Sequence, residues 1–328
     1  MRLALLVLTV LIAGTGSEHA HAQAHCERSA AAAPALGRLA DALAHGRFVA
    51  YQPTSLSVVD GRISNATAAG IRADLALLRP HFDALITYDA VHGVQEVAPA
   101  AAALQFRALI IGIWNPFDPA ELDAALAAAR RFPQLVVGVS LGNEMLFSHR
   151  SDPERLRTLV QRVHSQAPQL PLSTSEPFHI FQSEAAAPLL ASLDFLLPNV
   201  HPVFQPWFKS ATDRTAAQFV VNVASELAAR YCGPLLVKET GIPTGPPEEG
   251  FSTARQASFY AQLRALLPPS RQRAFAYFAA FDAPWRAQDA TGVPGPHPSE
   301  AYWGLFDSQR HPKPAIDQLP PLAQDRRQ

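Results

Sequence analysis

Two glutamates each stand directly after a short apolar run. Val136-Val137-Gly138-Val139-Ser140-Leu141-Gly142-Asn143 leads into Glu144, and Leu236-Val237-Lys238 leads into Glu239. Charged side chains are seldom left against such apolar runs unless they are paired or functional. Two carboxyl groups of this kind suit cleavage of a glycosidic bond. One, protonated, donates to the leaving oxygen; the other, ionised, attacks the anomeric carbon, and a gap of about 5–5.5 Å between them marks the retaining version. Their mutual repulsion pushes the two pKa values apart and raises the donor's. On this reading Glu144 is the acid/base and Glu239 the nucleophile. Asn143 offers an amide to a sugar 2-hydroxyl. The alternative is a pair of structural, salt-bridged glutamates.

Other residues are candidates to line the same site. Tyr88 and His201 follow apolar runs; His201 could donate to Glu239 and keep it ionised. Asn199 lies two residues before His201. Flat aromatic faces bury the C–H faces of sugars well, which brings in Trp285 as the first platform, with Trp114 and Trp207 for outer subsites. Trp303 and Phe306 read instead as packing for the returning C-terminal segment. Glu176 is a third carboxyl near the site, either a sugar contact or one arm of a loop salt bridge.

These residues need a frame that brings distant runs together. Strand-like runs are expected at 48–51, 84–88, 108–113, 135–140, 171–174, 195–200, 234–239 and 275–281. Most lack polar alternation, as parallel strands covered on both sides do. Helix-like runs are expected at 68–78, 119–130, 153–163, 184–190, 215–230 and 254–267, most behind an Asp, Ser or Asn able to cap them, with a weaker helix near 95–104 interrupted by Pro99 and a short one near 315–318. Eight successive βα units imply an α/β fold, a single (β/α)8 barrel, in which chemistry sits where strands end and loops begin. A doubly wound sheet lacks its strongest signal here, a glycine-rich phosphate loop. Residues 23–46 and 319–328 read as peripheral tails.

With these motifs in place the chain resembles glycoside hydrolase family 17, one of the clan A barrels. The resemblance rests on Gly142-Asn143-Glu144, Glu239-Thr240-Gly241-Ile242-Pro243-Thr244, Asn199-Val200-His201-Pro202, Phe281-Asp282-Ala283-Pro284-Trp285-Arg286, and Tyr302-Trp303-Gly304-Leu305-Phe306-Asp307 followed by Pro312-Lys313-Pro314. It spans about residues 48–314 in the family's order. It implies retaining hydrolysis or glucosyl transfer on β-glucans, typically β-1,3-linked, with acid/base and nucleophile roles for Glu144 and Glu239. The chain departs from the family at Ile242, where Trp is usual, at Ile86, where Arg is common, and at His201, in place of Tyr. A glucanosyltransferase and a catalytically silent carbohydrate-binding barrel are the alternatives.

Composition agrees with a large core and a neutral substrate. Of 328 residues, 48% are hydrophobic and 17% charged, and the net charge of −1 gives no electrostatic reason to expect a nucleic-acid or anionic-membrane partner. The 29 prolines fall mainly between apolar runs, as loop punctuation. The histidines lack metal-ligand spacing, no Gly-x-Ser-x-Gly is present, and no cofactor is expected. Arg2, an apolar run over 3–13 and Ala20-His21-Ala22 read as a signal peptide cleaved after Ala22. That places residues 23–328 in the periplasm or outside the cell, not in the membrane. There a disulfide between Cys26 and Cys232 could persist.

Overall fold

A computed structural model describes residues 30–288 and 297–322. Eight parallel strands form one sheet: β1 Phe48–Ala50, β2 Ala84–Ile86, β3 Ala108–Ile113, β4 Val136–Asn143, β5 Leu172–Pro177, β6 Leu197–Asn199, β7 Leu235–Val237 and β8 Arg273–Tyr277. The main helices are α1 Ala33–His45, α2 Ala68–Leu78, α3 Val97–Ala103, α4 Pro119–Arg131, α5 Pro153–Gln166, α6 Phe178–Gln182, α7 Ala187–Ser192, α8 Asp213–Arg230, α9 Thr253–Leu266 and α10 Pro314–Asp317. A small antiparallel hairpin, Ser57–Val59 with Arg62–Ser64, sits between β1 and α2.

Strand order runs β6-β5-β4-β3-β2-β1-β8-β7, so each strand neighbours the next in sequence. The two ends then meet. Leu196 N–H donates to Pro234 O at 2.9 Å, Leu236 N–H to Leu196 O at 3.0 Å, Lys238 N–H to Pro198 O at 2.9 Å and Val200 N–H to Glu239 O at 2.8 Å. These bonds close a (β/α)8 barrel and leave no open sheet edge.

Alternate strand residues face the two sides. Phe48, Ile86, Ile110, Val137, Leu197, Leu236 and Ala276 fill the barrel interior, whereas Val49, Leu85, Leu109, Ile111 and Val237 pack under the helices. Phe195 reaches into the same interior over Gly138, where an added Cβ would stand 2.6 Å from the Phe195 ring. The helices start where capping residues stop extended chain: Thr67, Asp118, Asp152, Thr212 and Ser252 each accept a backbone N–H of the first turn. For α8 the cap is Thr212, and the helix begins at Asp213, two residues before the expected start at 215.

One expectation is corrected here. Residues 33–45, read as part of a tail, form α1, and its Leu39, Ala42 and Leu43 belong to the interior cluster. The helix therefore closes the barrel's lower end. The drive is burial of two leucines, each contributing about 1.5–3 kcal/mol. Cys26 and residues 1–22 lie outside the described residues, so the signal peptide rests on sequence alone; Cys232, in the bend before β7, is disulfide-bonded, as expected of it.

Candidate active site

The end of β4 is bent so that Glu144 leaves the strand at an angle. The register between β4 and β5 shifts between Ser140 and Asn143. Gly142 has φ +94 and Glu144 has φ +52. At Gly142 a Cβ would collide with the Met145 side chain. A left-handed glutamate is uncommon, and such strain is held only when neighbours over-determine it. They do so here: Glu144 N–H donates to Ser175 O at 2.7 Å, and Glu144 O accepts Ser148 N–H at 2.9 Å and the Ser148 hydroxyl.

Asn199, at the end of β6, donates from Nδ2 to Glu144 Oε1 at 2.9 Å and accepts the Ser175 hydroxyl at 3.0 Å. Both ends of its amide are thus taken by protein groups. Asn199 holds the carboxyl of Glu144, and one of its two N–H donors remains for a sugar.

Glu239, just beyond β7, has two cationic or donor neighbours. Lys238 Nζ lies 3.0 Å from Oε1, and His201 Nε2 lies 3.4 Å from Oε2, where a hydrogen on Nε2 would donate. Lys238 also donates to Asn143 Oδ1 and sits 4.1 Å above the Tyr88 ring. Lys238 continues the inward parity of Leu236 and is almost fully buried. Sequence reasoning passed over it; a lysine directly before the glutamate on an apolar strand was the available signal.

The environment drives the two carboxyls apart. Burial raises the pKa of Glu144, the charge of Glu239 raises it further, and Asn199, His201 and Lys238 oppose with smaller effects. Burial would raise Glu239 too, but Lys238 and then His201 outweigh it and hold that carboxyl well below the usual range. The two shifts run in opposite directions, the polarity that two-step glycoside cleavage requires of its acid and its nucleophile.

Around this pair Trp303 Nε1 and His201 Nδ1 are buried without a partner among the described residues, while the Tyr88 hydroxyl faces the Glu239 carboxylate. Buried donors of this kind are normally satisfied, and sugar hydroxyls would satisfy them. Tyr88, Trp303, Gln52, Arg286 and Glu300 line one pocket beside this pair. Trp303 is 2% exposed, its ring 5.0 Å from His201 and 5.2 Å from Phe278. So Trp303, read as packing for the C-terminal segment, also forms a wall of the site. Gln256 of α9 fixes this wall, donating from Nε2 to the carbonyls of Ile242, Trp303 and Gly304.

Trp285 and Trp207 are placed differently from expectation, and Trp114 is not. Trp285 is half-buried and packs on the large cluster outside the barrel. Trp207 packs edge-on against Phe219 at 5.3 Å, which makes it a core-side residue and not an outer platform. Trp114 stays 39% exposed, with the Arg150 guanidinium 4.7 Å over its ring. Phe147 at 45% and Phe204 at 64% exposure are rim aromatics that the sequence did not single out.

Glu176 is fully buried at the end of β5. Its Oε1 accepts Leu146 N–H at 2.9 Å and its Oε2 accepts Phe147 N–H at 3.2 Å. It is therefore neither a sugar contact nor a salt-bridge arm. Burial pushes its carboxyl up to about 7, against the pull of these N–H groups. Among the described residues no group of His, Cys, Asp and Glu could hold a metal ion, and no helix is long and apolar enough to cross a membrane.

A closed (β/α)8 barrel with one glutamate at the end of β4 and another at the end of β7 has the layout of a glycoside hydrolase. Residues 49–304 match the BtgE/BtgC glycoside hydrolase domain, and the chain belongs to that family. It is 25% identical over 259 residues to a glucan 1,3-beta-glucosidase of Arthroderma benhamiae, covering 75% of this chain and 83% of that one. Its fold resembles the glycoside hydrolase family 17 beta-1,3-glucanosyltransferase of Rhizomucor miehei, with TM-score 0.64, 20% identity, and coverage of 82% of this chain and 96% of that one. An active-site mutant of that enzyme in complex with laminaritriose gives TM-score 0.65 at 20% identity, covering 84% and 98%. A beta-glucuronidase from an uncultured Clostridium shares the barrel, at TM-score 0.63 and 15% identity, covering 83% of this chain and 49% of the other.

Proposed function

We propose that this glycoside hydrolase acts on β-1,3-linked glucan with retention of configuration. The observation that carries the reading is the placement of two carboxyls at the ends of β4 and β7, Glu144 held by Asn199 at 2.9 Å and Glu239 flanked by Lys238 at 3.0 Å and His201 at 3.4 Å; burial and these neighbours shift Glu144 upward and Glu239 downward. In the first step a Glu239 oxygen attacks the anomeric carbon as Glu144 protonates the departing glycosidic oxygen, giving a covalent α-glycosyl ester. In the second step Glu144, now ionised, takes the proton of an incoming hydroxyl, which displaces Glu239 and restores the β configuration. The β-1,3 linkage is supported by the names of the Arthroderma and Rhizomucor relatives. Exposed Trp114, Phe147 and Phe204 around the mouth favour a chain of sugars over a single one.

Glucanosyl transfer is the second reading. Phe147 is 45% exposed three residues after Glu144, where its ring is free to stack on an acceptor sugar. An acceptor sugar held there would outcompete water for the same ester.

A panel of β-1,3-, β-1,2-, β-1,4- and β-1,6-glucans followed by time-resolved NMR tests both readings. The expected first product comes from the β-1,3-glucan as the β-anomer, with longer chains accumulating if transfer operates. An α-anomer as first product, or no turnover on any glucan, would contradict the proposal; the latter is the outcome for a silent carbohydrate-binding barrel. We also infer export through the basic start, apolar run and Ala20-His21-Ala22. N-terminal sequencing of protein recovered outside the cytoplasm should begin at Gln23, and a cytoplasmic product retaining residues 1–22 would contradict it.

A further inference from the structure

We propose that Glu176 is a positioning residue for the acid/base, acting by capping the turn that carries Glu144; this rests on the acid role proposed above. The chain from Glu144 to Ser148 forms one helical turn, closed by the Ser148 N–H to Glu144 O bond of 2.9 Å. The first N–H groups of any such turn have no partner inside it. Here those of Leu146 and Phe147 point at the two oxygens of Glu176, at 2.9 and 3.2 Å. A carboxylate at that end also meets the positive pole of the turn.

The cap arrives from the neighbouring strand. Ser175, one residue earlier on β5, accepts the N–H of Glu144 at 2.7 Å. Two consecutive residues of β5 therefore hold the acid/base from both sides, one at its own backbone and one at the two residues of the turn. Arg150 ties off the far end, donating to Asn143 O, to Trp114 O and to the Ser148 hydroxyl. The strained φ of +52 at Glu144 needs such support, since a relaxed turn would re-aim the carboxyl. A shift of about 1 Å in a reacting group is enough to cost on the order of 100-fold in rate.

An acid misplaced in this way fails only where the leaving group needs protonation. The test compares kcat/KM, which reports the glycosylation step, for two β-1,3-gluco-oligosaccharides of equal length. One ends in a sugar leaving group and the other in a dinitrophenyl group. Glu176→Gln is expected to lose about ten-fold or more on the sugar leaving group and to keep most of its rate on the dinitrophenyl substrate, since protonation by a positioned acid contributes about 10²–10⁴-fold where it is needed. Glu176→Asp keeps the charge but withdraws it by one methylene; it should show the same pattern more weakly and carries the comparison if Glu176→Gln does not fold. Equal losses on both substrates would reduce Glu176 to a general structural role and overturn the inference, as would no loss on either. Glu144→Ala is the control. If it spares the dinitrophenyl substrate while Glu176 variants do not, only this inference fails; if it does not spare that substrate, the acid assignment itself fails.

Discussion

Asn199 Nδ2 stands 2.9 Å from Glu144 Oε1, joining the end of β6 to the acid/base of β4. An N–H donor favours the ionised form of the carboxyl it touches. Asn199 therefore opposes the rise that burial and Glu239 impose on Glu144. Removing it should let Glu144 keep its proton to higher pH. In Asn199→Ala the alkaline limb of kcat/KM is expected to move to higher pH, while the rate at the optimum falls. An unmoved alkaline limb would show that the bond does not tune Glu144.

The complementary test falls on Lys238. Its ammonium is the largest influence holding Glu239 ionised against burial. With Lys238→Met, burial acts with less opposition and the folded pKa of Glu239 rises. The nucleophile is then protonated at acid pH, so the acidic limb of kcat/KM should move upward and activity lost at low pH should recover partly as pH rises. A variant whose acidic limb is unchanged would assign that limb to another group.

Much of the frame was legible from the sequence because it is local. The β3 run at 108–113 coincides with the observed strand, since a continuous apolar stretch between a turn and Asn115-Pro116 has few other readings. Helix α4 follows directly from Asp118-Pro119. By contrast, α1 was hidden by its position before the first strand, although Ala35, Leu39, Ala42 and Leu43 already carry a helical spacing. At the site, Glu144 and Glu239 were visible as strand-end carboxyls. The partners Asn199, Lys238 and Glu176 took their roles from contacts between strands, which no short window of sequence contains. Trp285 illustrates the same limit. The strand expected to run to 281 stops at Tyr277, and Trp285, expected as a platform, has its ring against the outer core.

That difference makes an outcome that can be measured. Trp303→Phe keeps an aromatic wall but removes a buried N–H that has no protein partner. If a sugar hydroxyl takes that N–H, the variant should bind substrate about ten-fold more weakly, within the range of about 1–3 kcal/mol for a lost buried partner. Trp285→Ala should lower Tm through lost packing and leave KM nearly unchanged. The reverse pattern would return Trp285 to the substrate.

The Cys26–Cys232 disulfide is open to a direct check. Intact mass of exported protein, before and after reduction and alkylation, should show two alkylatable thiols only after reduction. Ready alkylation of both cysteines without a reductant would rule the bridge out.

The central claim is the division of roles between Glu144 and Glu239, and azide rescue tests it most directly. Glu144→Ala and Glu239→Ala should each fold and lose most activity on the β-1,3-glucan. With an activated glycosyl donor and azide, Glu239→Ala should yield an α-glycosyl azide, because azide attacks in place of the missing nucleophile. Glu144→Ala should yield a β-glycosyl azide, because azide then opens the intact glycosyl-enzyme. Wild-type-like activity in either variant, or the same azide anomer from both, would contradict the assignment.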